Sequence, residues 1–283
     1  TRYRSSAASD VYKRQNLPQT LAIVEEVLFK PAFNESDFER NKQQMLEGIV
    51  YQHQKPSWLA SQATRQVLFS GSIYQRPNDG TKESVSALTL DDVKAFYRQH
   101  YTPYGAQIVV VGDITKRQVK NELAFLENWQ GQEAPLLRPQ LVNEKGPQKI
   151  YLIDKPSSPQ SIVRFVRQGL PFDATGEVYL TQLANFNLAG NFNSRINQNL
   201  REDKGYTYGA SGYFAANREV GAIVFSAQVR ADSTIASIKE IEKELSQYSE
   251  KGMTDEEMKF LRLAVGQQDC LLYTSDAADD LYR

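Results

Sequence analysis

The sequence contains almost no cysteine and very little histidine. Its 283 residues include one cysteine, Cys270, and two histidines, His53 and His100. A single cysteine excludes an internal disulfide framework, and residues 16–269, which contain none, cannot carry thiol catalysis. The absence of cysteine does not identify a cellular compartment.

The sequence also lacks an excess of charge and any long hydrophobic run. Its 33 Lys and Arg residues nearly balance 34 Asp and Glu residues, which gives no reason to expect binding to nucleic acid or to anionic membranes. No apolar run approaches the roughly 20 residues that a membrane-spanning helix needs. With 41% hydrophobic and 24% charged residues, the chain has an ordinary globular composition and enough length for two domains.

The two ends of the chain differ from the rest. Residues 1–15 and 270–283 fit no periodic pattern and resemble translated sequencing adapters, so we expect them to be non-native; native polar tails are the alternative. Between them, the sequence predicts the C-terminal part of a first α+β domain over 16–129. A Pro-, Gln- and Glu-rich linker over 130–147 and a second α+β domain over 148–269 follow.

Periodicity and capping signals predict the secondary structure. Capping residues Thr89, Thr115 and Thr254 each start a predicted helix. The predicted helices cover 18–30, 36–53, 56–69, 90–101, 115–129, 176–188 and 234–251, and one begins at 254. The predicted strands are 106–113, 149–154, 161–168, 207–214 and 221–229.

The most informative stretch is 200–210, which reads LREDKGYTYGA. Arg201 and Tyr208 are seven residues apart on either side of Gly205, and Ser194-Arg195 lies just ahead. A fixed cation and a phenol near one turn suit a site that holds a peptide carbonyl. The pattern resembles the C-terminal-domain signature of the pitrilysin/insulinase-type zinc metallopeptidases, and the resemblance extends over about Val24 to Gln268.

The resemblance implies a fold and a place in a larger protein. It implies two consecutive metallopeptidase-type α/β sandwich domains of the α+β class, the first incomplete, with helices packed on a mainly antiparallel sheet. In two-half members of the family, the first half holds zinc and the second half closes over it. The chain resembles the second, non-zinc half.

The residues that would bind zinc in this family are not present. Family members hold zinc with an inverted H-x-x-E-H helix and a later glutamate. His53 and His100 lack that spacing, and we interpret both as surface or capping residues. Gly48 falls at the position of the glutamate ligand; Glu47 is one residue away, which turns it by about 100° around the helix. We therefore expect no metal in this chain and zinc in a partner half, fused upstream or a separate subunit.

The resemblance assigns roles to four residues. Tyr208 would donate a hydrogen bond to the oxyanion formed on the peptide carbonyl, and Arg201 would hold a backbone carbonyl of the substrate. From sequence alone, Arg201 could equally belong to a solvated ion-pair face, and Tyr208 could be a packing residue. Tyr206 is the rival for the catalytic role and a candidate substrate contact. Gly190 is either a substrate contact or a left-handed helix C-cap.

Two hypotheses about function follow. The first is the non-catalytic half of a zinc endopeptidase, inactive alone, which binds and orients peptides for the zinc half. The second is a non-enzymatic structural or assembly subunit of the same family. The compartment stays open between periplasm and cytoplasm of a bacterium.

Overall fold

The computed structural model describes residues 16–133 and 149–280, with side chains as far as residue 267. The predicted adapter-like segment 1–15 and most of the predicted linker lie outside these residues. Of the other predicted terminal segment, the backbone of 270–280 belongs to the last helix.

The chain divides into two compact units. Within the described residues, the first unit comprises 16–48 and 81–133, and the second comprises 49–80 and 149–280. The sequence predicts 49–80 as part of the first domain, whereas this segment clusters with the strands of the second unit. The second unit is therefore built from two separate stretches of the chain.

The helices follow the predicted order with small changes at their ends. They are α1 (Leu17–Phe29), α2 (Glu35–His53), α3 (Pro56–Leu68), α4 (Lys82–Ala87), α5 (Leu90–His100), α6 (Lys116–Glu122), α7 (Glu177–Asn185), α8 (Arg195–Asn197), α9 (Thr234–Lys251) and α10 (Asp255–Asp280). Short 3₁₀ turns cover Ile73–Gln75, Ala124–Asn128 and Ala231–Ser233, and π-helical turns cover Phe186–Gly190 and Gln198–Asp203. The caps predicted at Thr89, Thr115 and Thr254 are present, and each forms a capping box.

In the first unit, aromatic side chains pack α1 against α5. The ring of Tyr97 lies 5.4 Å from that of Phe33, and its hydroxyl donates to the Leu28 carbonyl. Phe29 meets Phe125 edge to face at 6.3 Å. These contacts join α5 to the end of α1, although Leu90 is the one buried residue of α5 and Phe96 is 56% exposed.

Two predicted strands do not form. The predicted buried strand 106–113 and the predicted strand 149–154 have no strand partner among the described residues. Val111 is 93% exposed and Ile150 is 97% exposed, so neither segment is buried. Both strand predictions are wrong, because an apolar composition favours a strand but a strand also needs a neighbour to take up its backbone hydrogen bonds.

The three observed strands form one antiparallel sheet in the second unit. They are β1 (Gln160–Gly169), β2 (Thr207–Ala216) and β3 (Gly221–Arg230), in the spatial order β1-β3-β2. The fold class is therefore α+β with an antiparallel sheet, as predicted. β2 and β3 form the hairpin expected around Asn217, where Asn217 and Val220 close the turn at 2.7 Å.

The sheet has two different faces. On one face, Val163, Phe225 and Val229 join a core with Leu200 and Ile241. Because the same core includes residues of α8, α9 and the π-helical turns, these helical elements pack on this face of the sheet. On the other face, α3 covers β1, where the Gln168 side chain donates to the Leu68 carbonyl at 2.6 Å. We call this second side the open face. Among the described residues, no helix is long and apolar enough to span a bilayer.

Gly212 sets how closely β2 approaches the helical layer. A Cβ atom at this position would lie 2.4 Å from the Phe225 ring and 2.7 Å from Ala189 Cβ. Both neighbours are buried, so the clash cannot be relieved by a flexible surface side chain.

We expect Gly212→Ala to lower the free energy of unfolding by about 1–3 kcal/mol, because it overpacks the core. The matched control is Gly266→Ala in α10, where an added Cβ meets nothing within 4 Å. That control should stabilise the helix by up to about 1 kcal/mol. Urea denaturation of both variants measures the difference, and equal effects would contradict this packing.

Candidate functional site

The signature stretch forms a compact turn between α8 and β2. Leu200, in the π-helical turn, is fully buried and anchors the turn in the core. Its carbonyl accepts from the Tyr206 N–H at 2.8 Å. Between these two residues, Gly205 adopts φ +63°, a left-handed conformation that favours glycine. This geometry explains why glycine separates the helical turn from the tyrosine-rich strand.

A β-bulge interrupts β2 directly after this turn. Thr207 pairs with Val229 and Ala210 pairs with Ala227, so two residues of β2 oppose a single residue of β3. Tyr208 and Gly209 form the bulge. The Thr207 hydroxyl supports it by accepting from the Gly209 N–H at 3.1 Å. Such a bulge re-aims a side chain and is frequent beside functional sites.

Asn197 holds the bulge from the helical side. Its side chain is buried, its Oδ1 accepts from the Ala210 N–H at 2.9 Å, and its Nδ2 donates to the Phe192 carbonyl at 2.6 Å. One carboxamide thus connects the loop that carries Phe192 to the strand that carries Tyr208. The sequence pattern does not predict this role for Asn197.

The bulge separates the two tyrosines that the sequence leaves as rivals. Tyr206 packs against the hydrophobic core, whereas Tyr208 is 91% exposed. In a regular strand both side chains would lie on the same face. Tyr206 thus contributes to the packing of the core, and Tyr208 is the more exposed of the two tyrosines.

Arg201 lies on the other side of the turn. Its guanidinium carbon is 4.2 Å from the centre of the Phe192 ring, and its Nε is 3.5 Å from a carboxylate oxygen of Glu202. Its Nη1 is buried without a hydrogen-bond acceptor among the described residues. Among those residues, no hydrogen bond or cation–π contact joins Arg201 to Tyr208.

Gly190 ends the π-helical turn that precedes Phe192. A Cβ there would lie 3.0 Å from the Asn185 carbonyl oxygen, so close approach of the backbone explains the glycine. Its φ is not positive, so the alternative of a left-handed C-cap is wrong. The following loop is held by Asn191, which bonds both the Phe186 carbonyl and the Asn193 N–H.

Buried asparagines connect the elements around the site. Asn185 donates to the Gly212 carbonyl at 2.7 Å, Asn187 to the Glu257 carbonyl at 2.8 Å, and Asn199 to Glu240 and Glu244. The sequence did contain a signal for this network, because 185–199 includes six asparagines. The side-chain N–H groups of these asparagines bond backbone carbonyls and carboxylates distant in sequence, which ties the surrounding segments together.

An ion pair fixes α10 to α8. Arg195 Nη2 donates to Glu257 Oε2 at 2.5 Å and to the Gly252 carbonyl at 3.0 Å, and its Nε donates to the same carboxylate. The guanidinium also lies 4.8 Å from the Tyr248 ring. The hydrogen bond from Arg195 lowers the pKa of Glu257 and raises that of Arg195. Arg195, the cation next to the signature, is therefore structural.

The residues of this chain do not fit a zinc site. His53 is exposed and stacks on Trp58 at 4.2 Å, and His100 is exposed and stacks on Phe96 at 4.5 Å. Glu47, beside Gly48, accepts from Gln43 at 2.9 Å. Among the described residues there is no cluster of three His, Cys, Asp or Glu side chains that could hold a metal ion.

An open cleft of about 280 Å³ lies in the second unit, away from the signature residues. Asn187, Asn193, Glu256, Glu257 and Phe260 line it. Neither Arg201 nor Tyr208 contributes to this cleft. A surface with one exposed phenol and one half-buried cation can take part in a site, but it does not enclose a substrate by itself.

Within the described residues, an α+β unit that carries this signature and no cluster of metal ligands is similar to the non-zinc domains of two-half zinc peptidases. Residues 87–264 match the family model described as the peptidase M16 inactive domain. The match covers more than half of the chain, so the chain belongs to the peptidase M16 (pitrilysin) family, and the matched part is a non-catalytic domain.

Curated relatives support the same family. The non-peptidase homolog YmxG of Helicobacter pylori is 26% identical over 249 residues, covering 85% of this chain and 55% of that protein. An uncharacterized zinc protease of Streptomyces coelicolor is 25% identical over 262 residues, covering 89% of this chain and 55% of that protein. The chain thus spans about half the length of these relatives.

A solved structure shares the fold. The crystal structure of the peptidase M16 inactive domain from Pseudomonas fluorescens matches with a TM-score of 0.79 and 26% identity, over 87% of this chain and 60% of that one. The similarity supports the assignment to the inactive half at the level of structure as well as sequence.

The ion pair between Arg195 and Glu257 makes a pH dependence predictable. Because the pKa of Glu257 is lowered from 4.5 in the folded state, its stabilisation is present above that value and is lost as pH falls through the folded pKa. Glu257→Gln should cost about 1.5–3 kcal/mol at neutral pH and flatten the stability profile below about pH 4.5. Exposed Glu256→Gln is the control and should change neither. Denaturation midpoints across the acid range measure this, and a profile unchanged by Glu257→Gln would contradict it.

The purified chain is expected to contain less than stoichiometric zinc after dialysis. The reason is the lack of three clustered ligands among the described residues. Elemental analysis measures the metal content. Tight zinc at one ion per chain would show that this half has its own metal centre.

Proposed function

We propose that the chain is the half of a zinc endopeptidase that binds and orients peptides and supplies Arg201 and Tyr208 to the zinc site of the other half. The observation that carries the proposal is the bulge, which leaves Tyr208 exposed while Tyr206 is packed in the core. The family match to an inactive domain supports a role beside, and not in place of, a zinc half.

Tyr208 would act on the carbonyl that is cleaved. A phenol donates one hydrogen bond, and donating it to the oxygen that becomes negative in the transition state lowers the barrier by about 3 kcal/mol. The bulge at Thr207 and the Asn197 carboxamide hold the backbone on both sides of Tyr208, so little order has to be gained on binding.

Arg201 would hold a substrate carbonyl. A buried donor without an acceptor is unfavourable, and Nη1 of Arg201 is such a donor. The Phe192 ring stacks on the guanidinium and is 63% exposed, so a bound peptide can displace it. Displacement would offer a peptide carbonyl as the missing acceptor. Gly190 would act through the loop that carries Phe192.

The test uses the chain combined with its zinc-bearing half. Tyr208→Phe should lower kcat about 10²–10³-fold with little change in KM, because only a transition-state hydrogen bond is lost. Tyr206→Phe is the matched control and should leave kcat within about twofold, because its ring stays in the core. A large loss in Tyr206→Phe, or none in Tyr208→Phe, would overturn the assignment.

A structural or assembly subunit is the second candidate. It is favoured by the name of the Helicobacter pylori relative, a non-peptidase homolog, at 26% identity. The two candidates differ in one measurable property. A peptidase half needs a zinc-bearing partner and loses turnover with Tyr208, whereas a structural subunit keeps its assembly when both Arg201 and Tyr208 are replaced and supports no turnover with any partner.

A further inference from the structure

The open face of the sheet carries a row of hydrogen-bond donors that the proposed function does not use. In register across the three strands, Arg164 of β1 lies opposite Ser226 of β3, which lies opposite Ser211 of β2. Paired residues across a sheet have Cβ atoms about 5 Å apart. Tyr213, two residues beyond Ser211, lies on the same face.

Arg164 is a half-buried cation without an anionic partner. None of the ion pairs among the described residues includes it. Its one hydrogen bond runs from Nη1 to the Thr64 hydroxyl at 3.4 Å, and its Nε is buried without an acceptor. Desolvation lowers its pKa, although a guanidinium stays charged at neutral pH. A buried, unpaired charge is costly, and a bound anion would offset that cost.

The neighbours of Arg164 complement an anion. Ser226 and Ser211 present hydroxyls that make no hydrogen bond among the described residues, and the Tyr213 side chain is 49% exposed. The Coulomb interaction between Tyr213 and Arg164 shows that the phenol lies near the guanidinium. Helix α3 borders the row on the β1 side, so the donors lie next to a helix and not on a flat exposed surface.

We propose that Arg164, with Ser226, Ser211 and Tyr213, forms a carboxylate-binding subsite for peptides on the open face. A carboxylate is an acceptor-only group that takes two parallel bonds from one guanidinium, which matches a fork of donors flanked by hydroxyls. Tyr208 lies on the same strand as Ser211 and Tyr213, three residues before Ser211. The subsite rests on the proposed function, since the peptide whose carboxylate it binds is the one Tyr208 would address.

The first experiment measures peptide binding by fluorescence anisotropy. Three peptides share one sequence: one has an internal Glu and an amidated C-terminus, one has Gln there and an amidated C-terminus, and one has Gln and a free C-terminus. The wild-type chain should bind one or both carboxylate peptides about tenfold more tightly than the neutral one. The carboxylate peptide that binds more tightly than the neutral peptide shows whether the recognised carboxylate belongs to a side chain or to the C-terminus.

Two variants test whether Arg164 causes the higher affinity for carboxylate peptides. Arg164→Gln should abolish the preference for carboxylates. Arg167→Gln removes the same charge from an exposed position on the same strand and should keep the preference. A preference that survives Arg164→Gln, or equal affinity of the wild type for all three peptides, would overturn the subsite.

A second experiment does not depend on peptide binding. Glutarate should raise the Tm of the wild type and of Arg167→Gln, but not of Arg164→Gln, and neutral glutaramide at equal ionic strength should raise none. If no peptide binds while glutarate stabilises through Arg164, the proposed function fails and the subsite stands. If glutarate gives the three proteins the same Tm shift or none, the subsite is wrong.

Discussion

The one-residue bulge in β2 is the constraint on which the candidate site depends. In a regular strand, Tyr206 and Tyr208 would lie on one face. Tyr206 could then not pack against the core while Tyr208 is exposed to solvent. The bulge is maintained by Thr207 from within the strand and by Asn197 from the helical side. Because Asn197 also bonds the Phe192 carbonyl, the same carboxamide positions the ring that covers Arg201. Among the described residues, Arg201 and Tyr208 do not contact each other. The buried Asn197 side chain nevertheless holds the backbone near Tyr208 and the backbone of Phe192, whose ring stacks on Arg201.

The two faces of the sheet divide structural and binding roles. The face under α8 and α9 is mainly apolar and closely packed, and a Cβ at Gly212 would clash with the Phe225 ring. The open face carries Arg164, two serines and the half-exposed Tyr213. Arg195, in contrast, satisfies its charge with Glu257 and contributes to stability. The three arginines around the site have different partners: Arg195 is held by the Glu257 carboxylate, Arg201 stacks on Phe192 beside Glu202, and Arg164 bonds the Thr64 hydroxyl.

Much of the fold and part of the site were predictable from the sequence. Capping boxes at Thr89, Thr115 and Thr254 and the hairpin around Asn217 depend on local interactions, and each is present as predicted. The strand at 106–113 was not predictable, since pairing depends on a neighbour and not on the segment itself. The bulge was likewise hidden, because alternation cannot reveal an extra residue. The asparagines of 185–199 were visible, but their partners are distant in sequence, such as Gly212 and Glu257.

The contacts of α3 have a kinetic consequence. Arg164 bonds Thr64 and Gln168 bonds Leu68, in both cases across 100 positions of the chain. Closing a loop of that size costs entropy before any contact compensates for it, and chains rich in such distant pairings fold slowly. The hairpin of β2 and β3 can form early from nearby residues, whereas docking of α3 on β1 has to wait for a long-range encounter. Helix α3, next to Arg164, would then be among the last parts of the unit to assemble, and among the first to detach under mild denaturing conditions.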